Sequence, residues 1–533
     1  MVSLLSSNLV YTVPARAGDK DKEDAAAKLK TATPIKHLVV IFDENNSFDH
    51  YFGTYPVALN PPGEPPFYAD RDTPPVDGLT PTLLSRNPNQ LANSDAAYNV
   101  NPFRLDPSEA STCDNDNHYT DEQTAFDSGL LDKFTVTGLT PACGAGYYDP
   151  TTQVLGMGYY DGNTVTALWN YAQHFAMSDN FFDSEFGTTV MGHLNLLSGQ
   201  THGLRVLAGT AKDTQINNGS VIANVQPYYD DCAIGSTPNI DMSTVNAIGQ
   251  IVGNKNVGTL LTAANVTWGW FYDDFAATSA PGVTPATCDA NYNSHYAPFG
   301  YYQATANPHH LPPSSVPAIG TNGDQANHNY NLDEFWQAEA NGNLPAVSFI
   351  KFSKPNTGHP MDSTPLLEQT AIVNVVNELE GSPFWKDMAI LIAYDDSDGW
   401  YDHVAAPIVN TSDDPINDSL SGSAAAKTGA CGPANPAGIQ DRCGFGVRLP
   451  FLVISPYAKH DYVDHSVNDT TSILRFIEAN WNLGTTGDPT SFDVLASGTI
   501  LGMFDFEHPD IPENRALYLN PTDGERVGSP GWR

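Results

Sequence analysis

Basic residues are scarce in this sequence of 533 residues: 24 Lys and Arg face 61 Asp and Glu, a formal net charge of −37 at pH 7. Nucleic acid is not expected as a partner, because its binding draws on basic patches that displace counterions. No run of about 18 apolar residues occurs, so no transmembrane helix is expected. The six cysteines form no CxxC pair and no zinc-like spacing. A GxSxG nucleophile elbow, a GxxxxGKS/T phosphate loop and an HExxH helix are also absent, which removes the usual support for lipase, P-loop and zincin readings. There is no internal repeat. What remains is a globular composition, 41% hydrophobic and 11% aromatic with only 16% charged residues, ample for a large core. At roughly 150 residues per domain the length allows two to four domains. One insertion-rich α/β domain over residues 33–520 fits equally well and is the organisation expected.

The N-terminus, Met1 to Ala17, has a modest apolar stretch and ends in Ala15-Arg16-Ala17, a small-x-small pattern ahead of a signal cleavage point. No basic residue precedes it, and a disordered tail is the alternative. The even cysteine set points to disulfides and export, to the periplasm or the medium. Cys431 and Cys443 flank a loop rich in Gly, Pro and Ala and are paired first, then Cys113 with Cys143 and Cys232 with Cys288. Six free core thiols in a cytosolic enzyme are the alternative.

Short β-branched or aliphatic runs at His37 to Phe42, Val347 to Phe352, Ala389 to Tyr394 and Pro450 to Ser455 read as buried strands. Helices alternate with them. Val165, Leu168, Trp169, Ala172 and Phe175 share one helical face; Thr364-Pro365 starts and Gly381 ends a second helix; Asp469 caps a third that runs through Ser472 to Trp481. This alternation predicts an α/β fold with a largely parallel central sheet flanked by helices on both faces. Residues 57–77, 208–343 and 419–446 read as insertions, and 521–533 as a C-terminal tail.

In such a sheet the ligand site lies beyond the carboxyl ends of the strands. Two strands run into acid clusters there, Asp43-Glu44-Asn45-Asn46-Ser47 and Asp395-Asp396-Ser397-Asp398. If the strands are near neighbours, Glu44, Asn45, Asp395 and Asp396 converge as hard oxygen ligands for a divalent cation. Otherwise each cluster caps its own helix or turn. The stretch Asp395 to His403 is not an EF-hand, since counting back from Gly399 puts Tyr394 at position 1. In Gly187-Thr188-Thr189, two hydroxyls precede an apolar run that starts a helix. A helix N-terminus favours phosphate and an alkoxide, so Thr188 or Thr189 is a candidate nucleophile, although a plain N-cap is the commoner use of Thr. Of fifteen histidines, His118, His295, His309, His310, His328, His359 and His403 lie in loop contexts, where near-neutral titration suits leaving-group protonation.

The segment Ile35 to Gly53, with Phe42-Asp43-Glu44-Asn45-Asn46-Ser47-Phe48-Asp49-His50 at its centre, resembles the opening signature of the bacterial phosphoesterase family that holds acid phosphatase A and the non-specific phospholipases C. The likeness continues through Asp179 to His193, Val347 to Lys351, Gly358-His359-Pro360, Tyr394 to His403 and Ile473 to Glu478. It implies a core similar to the alkaline phosphatase superfamily and a metal-assisted hydroxyl nucleophile that forms a covalent phospho-enzyme. By motif, Glu44 and Asn45 match the first metal- and phosphate-contacting pair, Asp395 and Asp396 the paired acidic ligands, and Thr189 the nucleophile, itself a metal ligand. His118, His295 and His359 match family histidines at the site.

Three positions depart from the pattern: Asp43 and Asn46 replace a Gln and an Arg, and Tyr296 stands where a second His is common. Two cationic groups are thereby lost. Gly192-His193, in place of Asn-Arg, leans towards the acid phosphatase branch. The expected function is a divalent-metal-dependent acid phosphatase of broad specificity, acting on small phosphorylated substrates, with Ca, Mg, Mn, Zn or Fe as the ion. A phospholipase C acting on choline or ethanolamine phospholipids is the runner-up; its larger members carry extra C-terminal domains, whereas this sequence stops soon after Leu519 to Gly524. A secreted metal-binding protein without activity is the third reading.

Overall fold

The computed structural model describes residues 24–91, 99–137, 143, 146–148, 154–217, 219–233, 238–242, 255–275, 288, 291–410, 412, 414, 416–420, 431, 442–486, 491–496, 498–508 and 515–528. The candidate signal segment 1–17 and most of the expected insertion 419–446 lie outside them.

An eight-stranded sheet organises the chain. Its strands are β1 (His37–Asp43), β2 (Ala176–Ser178), β3 (Trp268–Tyr272), β4 (Asn329–Asn331), β5 (Val347–Lys351), β6 (Met388–Tyr394), β7 (Phe451–Ile454) and β8 (Tyr462–Asp464). The spatial order is β4-β3-β5-β1-β6-β7-β2-β8. β7 runs antiparallel to both its neighbours, and every other pairing is parallel. The four apolar runs singled out in the sequence are thus strands of one sheet. β1, β5, β6 and β7 are buried at every position, which is why they lack the two-residue alternation of a half-exposed strand.

The helices needed below are α1 (Phe48–Phe52), α2 (Tyr119–Phe126), α3 (Thr166–His174), α4 (Thr189–Ser198), α5 (Pro365–Glu380) and α6 (Thr470–Asn480). α5 starts where its sequence says: Thr364 accepts a hydrogen bond from the Leu367 N–H, Pro365 fills the first helical position and Gly381 ends the helix. Asp469 and Ser472 form a reciprocal capping box at α6. α3 carries its apolar face as expected, but Thr166 to Gln173 are all buried. Its polar side is covered too: Asn170 Nδ2 donates to the Gly524 carbonyl at 2.9 Å, and the Ala167 N–H to Gln369 Oε1 at 2.8 Å.

The stretch 208–343 is more than an insertion, since it supplies β3 and β4 to the central sheet. Those strands were hidden by composition: Trp268-Gly269-Trp270 and Asn329-Tyr330-Asn331 lack an aliphatic run. Residues 57–77 do form a loop without regular structure. Its far end is held by Arg448, which donates to the carbonyls of Asp77 and Asp179 at 2.8 and 2.7 Å and to Asp49 and Asp402 at 3.0 and 3.1 Å. Removing one partner of such a buried ion pair costs about 3–5 kcal/mol. Among the described residues no helix is long and apolar enough to cross a membrane.

The three expected disulfides are formed, Cys113–Cys143, Cys232–Cys288 and Cys431–Cys443, with Cα separations of 5.6, 5.8 and 5.6 Å. The first closes 30 residues. Restricting a loop of that length in the unfolded chain stabilises by about 4 kcal/mol, so replacing Cys113 and Cys143 together by Ala should lower the urea unfolding free energy by an amount of that order. A change under about 1 kcal/mol would show that the bond contributes little to the stability of the fold.

Candidate active site

β1 and β6 are adjacent and in register, with Asp43 opposite Tyr394. The two acid clusters therefore leave the sheet side by side at its carboxyl edge. The Asp395 N–H donates to the Asp43 carbonyl at 3.2 Å and the Asn46 N–H to the Asp396 carbonyl at 2.9 Å, so the loops are stitched backbone to backbone. Asn45 takes a left-handed conformation, φ 56°, which Asn tolerates better than most side chains. That turn aims its N–H at Asp395 Oδ1 and its Nδ2 at Asp398 Oδ1, both at 3.1 Å. Glu44, Asn45, Asp395 and Asp396 are all brought together, each buried.

α4 brings Thr189 to this edge. Its N-cap is Thr188, whose hydroxyl makes no capping bond and has no hydrogen-bond partner. The Val190 N–H is taken instead by Asn224 Oδ1, at 3.1 Å. Thr189, the first helical residue, donates its hydroxyl to Asp396 Oδ2 at 3.3 Å. Neither threonine side chain makes an ordinary capping bond. α4 can lie this close because residue 192 is Gly: a Cβ there would stand 2.0 Å from the Asp395 carbonyl oxygen.

Residues outside the expected set join the cluster. Lys351, at the end of β5, is bonded to Glu44 Oε1 and lies 3.9 Å from Asp395 Oδ2. His193, one turn into α4, gives Nδ1 to the Thr189 carbonyl at 2.8 Å and stands 3.6 Å from Asp395 Oδ2. Asn117 Nδ2 donates to Asp396 Oδ1 at 2.9 Å. Asp183 is buried with both carboxylate oxygens unpartnered, close enough to Asp396 and Asp395 to feel their charge. Lys351 had a visible signal, a cation closing an apolar strand. Asp183 lies within the stretch Asp179 to His193 that carries the likeness and Asn117 precedes His118, but neither was singled out, because many Asp and Asn surround them.

The histidines divide. His359 stands close enough to Asp396 to act on its charge, and its ring nitrogen lies with carboxylate oxygens of Asp114 and Asp398, all within 4.8 Å of one another. His295 is placed beside His193 and Lys351, and burial together with Lys351 pushes it down to about 3. His118 is largely exposed at the rim, its Nδ1 bonded to Asp116 Oδ1, a bond that raises it above its ordinary value. His310 pairs with Asp230, His309 with Asp231, His328 with the Trp268 carbonyl, and His403 with Asp49 in the Arg448 network. Those four serve the scaffold.

Burial raises every carboxyl of the cluster. Desolvation and Glu44 drive Asp395 well above the usual carboxylate range, desolvation and Asp395 push Asp396 up to about 8, and Glu44 rises by desolvation. So many acids in so little water need a counter-charge. Glu44 Oε2, Asn45 Oδ1 and Asp395 Oδ2 have no hydrogen-bond partner. Carboxylate, amide and hydroxyl oxygens left open in this way fit a hard divalent cation. Glu44, Asn45, Asp395 and Asp396, with the Thr189 hydroxyl, would hold it. His193 would be a further donor, since Glu44, His193 and Asp395 offer atoms within 4.8 Å of one another.

A cleft of about 450 Å³ opens beside Thr188, lined by Asp114 to His118 on one side and by Lys212, Thr214, Gln215 and Asn224 on the other, with Ala223 as the lone apolar residue.

A model of the phosphoesterase family matches residues 35–484. The chain belongs to the phosphoesterase family. The match runs from the strand that carries Glu44 and Asn45 to just past α6, so it takes in every site element described above. This phosphoesterase is 24% identical over 488 residues to hemolytic phospholipase C of Pseudomonas aeruginosa, covering 88% of this chain and 57% of that protein. It is 25% identical over 514 residues to phospholipase C B of Mycobacterium tuberculosis, covering 90% and 81%. The chain spans 57% of the length of the hemolytic and non-hemolytic Pseudomonas relatives. Among solved structures it is similar to a protein in the alkaline phosphatase superfamily from Vibrio parahaemolyticus, with a TM-score of 0.27 and 10% identity over 72% of each chain.

Proposed function

We propose that this phosphoesterase is a metal-dependent phosphoric ester hydrolase that cleaves small phosphomonoesters through a phospho-threonine, as an acid phosphatase of broad specificity. The observation that carries this reading is the Thr189 hydroxyl: it sits at the start of α4, caps nothing, and is hydrogen-bonded to Asp396 inside the acid cluster. Asp396 Oδ2 accepts the Thr189 hydrogen bond and, when ionised, takes that proton as Oγ1 attacks phosphorus. The oxygen–phosphorus bond to the leaving alcohol then breaks, and the alkoxide takes a proton from His118 or His359. Attack by water on phospho-Thr189 releases phosphate and restores the hydroxyl. Asn45 holds its amide at the same edge, and the α4 N-terminus adds a positive field for the phosphoryl oxygens. A bound divalent cation would supply Lewis-acid stabilisation of developing charge and ease ionisation of the hydroxyl.

The cleft supports a small polar substrate, since its described lining offers one alanine and otherwise polar side chains. Phospholipase C is the second reading, favoured by the names of the Pseudomonas and Mycobacterium relatives. Release of phosphate from an aryl phosphomonoester, set against release of diacylglycerol from phosphatidylcholine, separates the two. Faster turnover of the lipid by tenfold or more would overturn the phosphatase reading, and turnover of neither substrate would favour a protein without activity. Export to the periplasm or the medium is part of the same proposal, supported by three disulfides.

A pH profile tests the acid. The bond to Asp116 raises His118 above its ordinary value, so its protonated form survives past about pH 6.5 and the rate falls only as pH climbs through the raised value. Asp116→Asn removes that bond and should move the descending limb of kcat to lower pH. An unmoved limb would assign the acid to His359.

A further inference from the structure

Lys351 closes β5 with a side chain that is 0% exposed. Burying an ammonium is unfavourable unless it is paired, and this one is bonded to Glu44 Oε1, lies 3.9 Å from Asp395 Oδ2 and sits 4.6 Å from the centre of the Tyr296 ring. Two further cations expected by resemblance are missing, since residue 46 is Asn and residue 296 is Tyr. Tyr296 presents an aromatic face to the ammonium, an attractive contact where a protonated His would repel. Lys351 also acts on Asp43 and His193 through space. Yet its contacts stop at one side of the cluster, leaving Glu44 Oε2 and Asn45 Oδ1 open.

We propose that Lys351 is a resident cation of the centre, a positioning residue that sets how strongly the remaining oxygens hold a divalent ion and keeps the cluster from repelling phosphate. Glu44, Asp395 and Asp396 bring three negative charges when ionised; the ammonium cancels one, and a single divalent cation matches the other two. Lys351 acts through Glu44 and Asp395 and does not touch substrate. Its removal has opposite consequences for the two ligands. Attraction for a metal cation grows, and attraction for an anion at the loaded site falls. A role in packing alone would move neither, and general damage would weaken both. The inference rests on the metal-binding reading above.

The test is calorimetric titration of Mn²⁺ into metal-free wild type and Lys351→Met, followed by inorganic phosphate into each Mn²⁺-loaded protein. The variant should bind Mn²⁺ roughly tenfold or more tightly and phosphate roughly tenfold more weakly, the scale of one unit charge at close range. Unchanged or weaker Mn²⁺ binding overturns the role of Lys351. If Lys351→Met does not fold, because Glu44 and Asp395 are left uncompensated, the double variant Lys351→Met with Glu44→Gln removes both members of the pair. It should bind Mn²⁺ more tightly than Glu44→Gln alone, and equal affinity overturns the proposal. Failure of wild type to bind millimolar Mn²⁺ sinks the metal reading itself, and this inference with it.

Discussion

Thr189→Ala should lower kcat for an aryl phosphomonoester by at least about 10³-fold, because it deletes the attacking atom and not a neighbour of it. Stability should change little. The Thr189 hydroxyl makes its hydrogen bond to Asp396 and none to the backbone of α4, so its loss removes one exchangeable hydrogen bond, worth about 1 kcal/mol. Thr189→Ser keeps the nucleophile and should stay within about tenfold of wild type. Thr188→Ala removes a hydroxyl that has no partner and lines the cleft, and a loss of a few-fold is expected. The decisive readout is acid-quenched wild type after a burst of substrate, in which mass spectrometry should find phosphate on the peptide carrying Thr189. Phosphate on Thr188, or an active Thr189→Ala enzyme, would move the nucleophile by one residue or remove the covalent step.

Gly192→Ala should be among the most damaging changes that leave every candidate ligand side chain in place. The added Cβ would meet the Asp395 carbonyl oxygen at 2.0 Å, its carbonyl carbon at 2.7 Å and its Cα at 3.0 Å. All three are backbone atoms of the loop that leaves β6, so no side-chain rotation relieves the clash. α4 must back away from the sheet edge, carrying Thr189 from Asp396 and opening a contact that is already 3.3 Å. Misplacement of a reacting group by about 1 Å can lower a rate by about 10²-fold. Overpacking should also destabilise the fold by about 1–3 kcal/mol. Kinetics at saturating metal and urea unfolding on the same preparation read both effects. Activity within twofold of wild type would mean that α4 and the Asp395 loop are not held as closely as the structure shows.

Much of the site was legible because the signals are local. A buried strand advertises itself by a run of aliphatic residues, and the geometry of a parallel sheet presents to ligand the residues just beyond the strand's carboxyl end. That is how Glu44, Asn45, Asp395 and Asp396 stood out before any contact was known. The residues alone left Thr188 and Thr189 open and the resemblance pointed to Thr189; the structure adds that the Thr189 hydroxyl bonds to Asp396 while that of Thr188 has no partner.

What the chain's own order determined, then, was the set of strands with aliphatic runs, the caps of α5 and α6 and the chemistry of each cluster, since propensity, capping and hydrophobic runs act over a few residues. Tertiary structure alone decided the rest. It put β1 beside β6 in register, turned β7 antiparallel, gave the stretch 208–343 two strands of the central sheet, and sorted His359 to the acids and His403 to Arg448. It also made Gly192 and Lys351 matter. Each of these depends on contacts between residues far apart in sequence, and the free energy that selects them comes from burying whole faces of the sheet and pairing charges left inside, which no window along the chain contains.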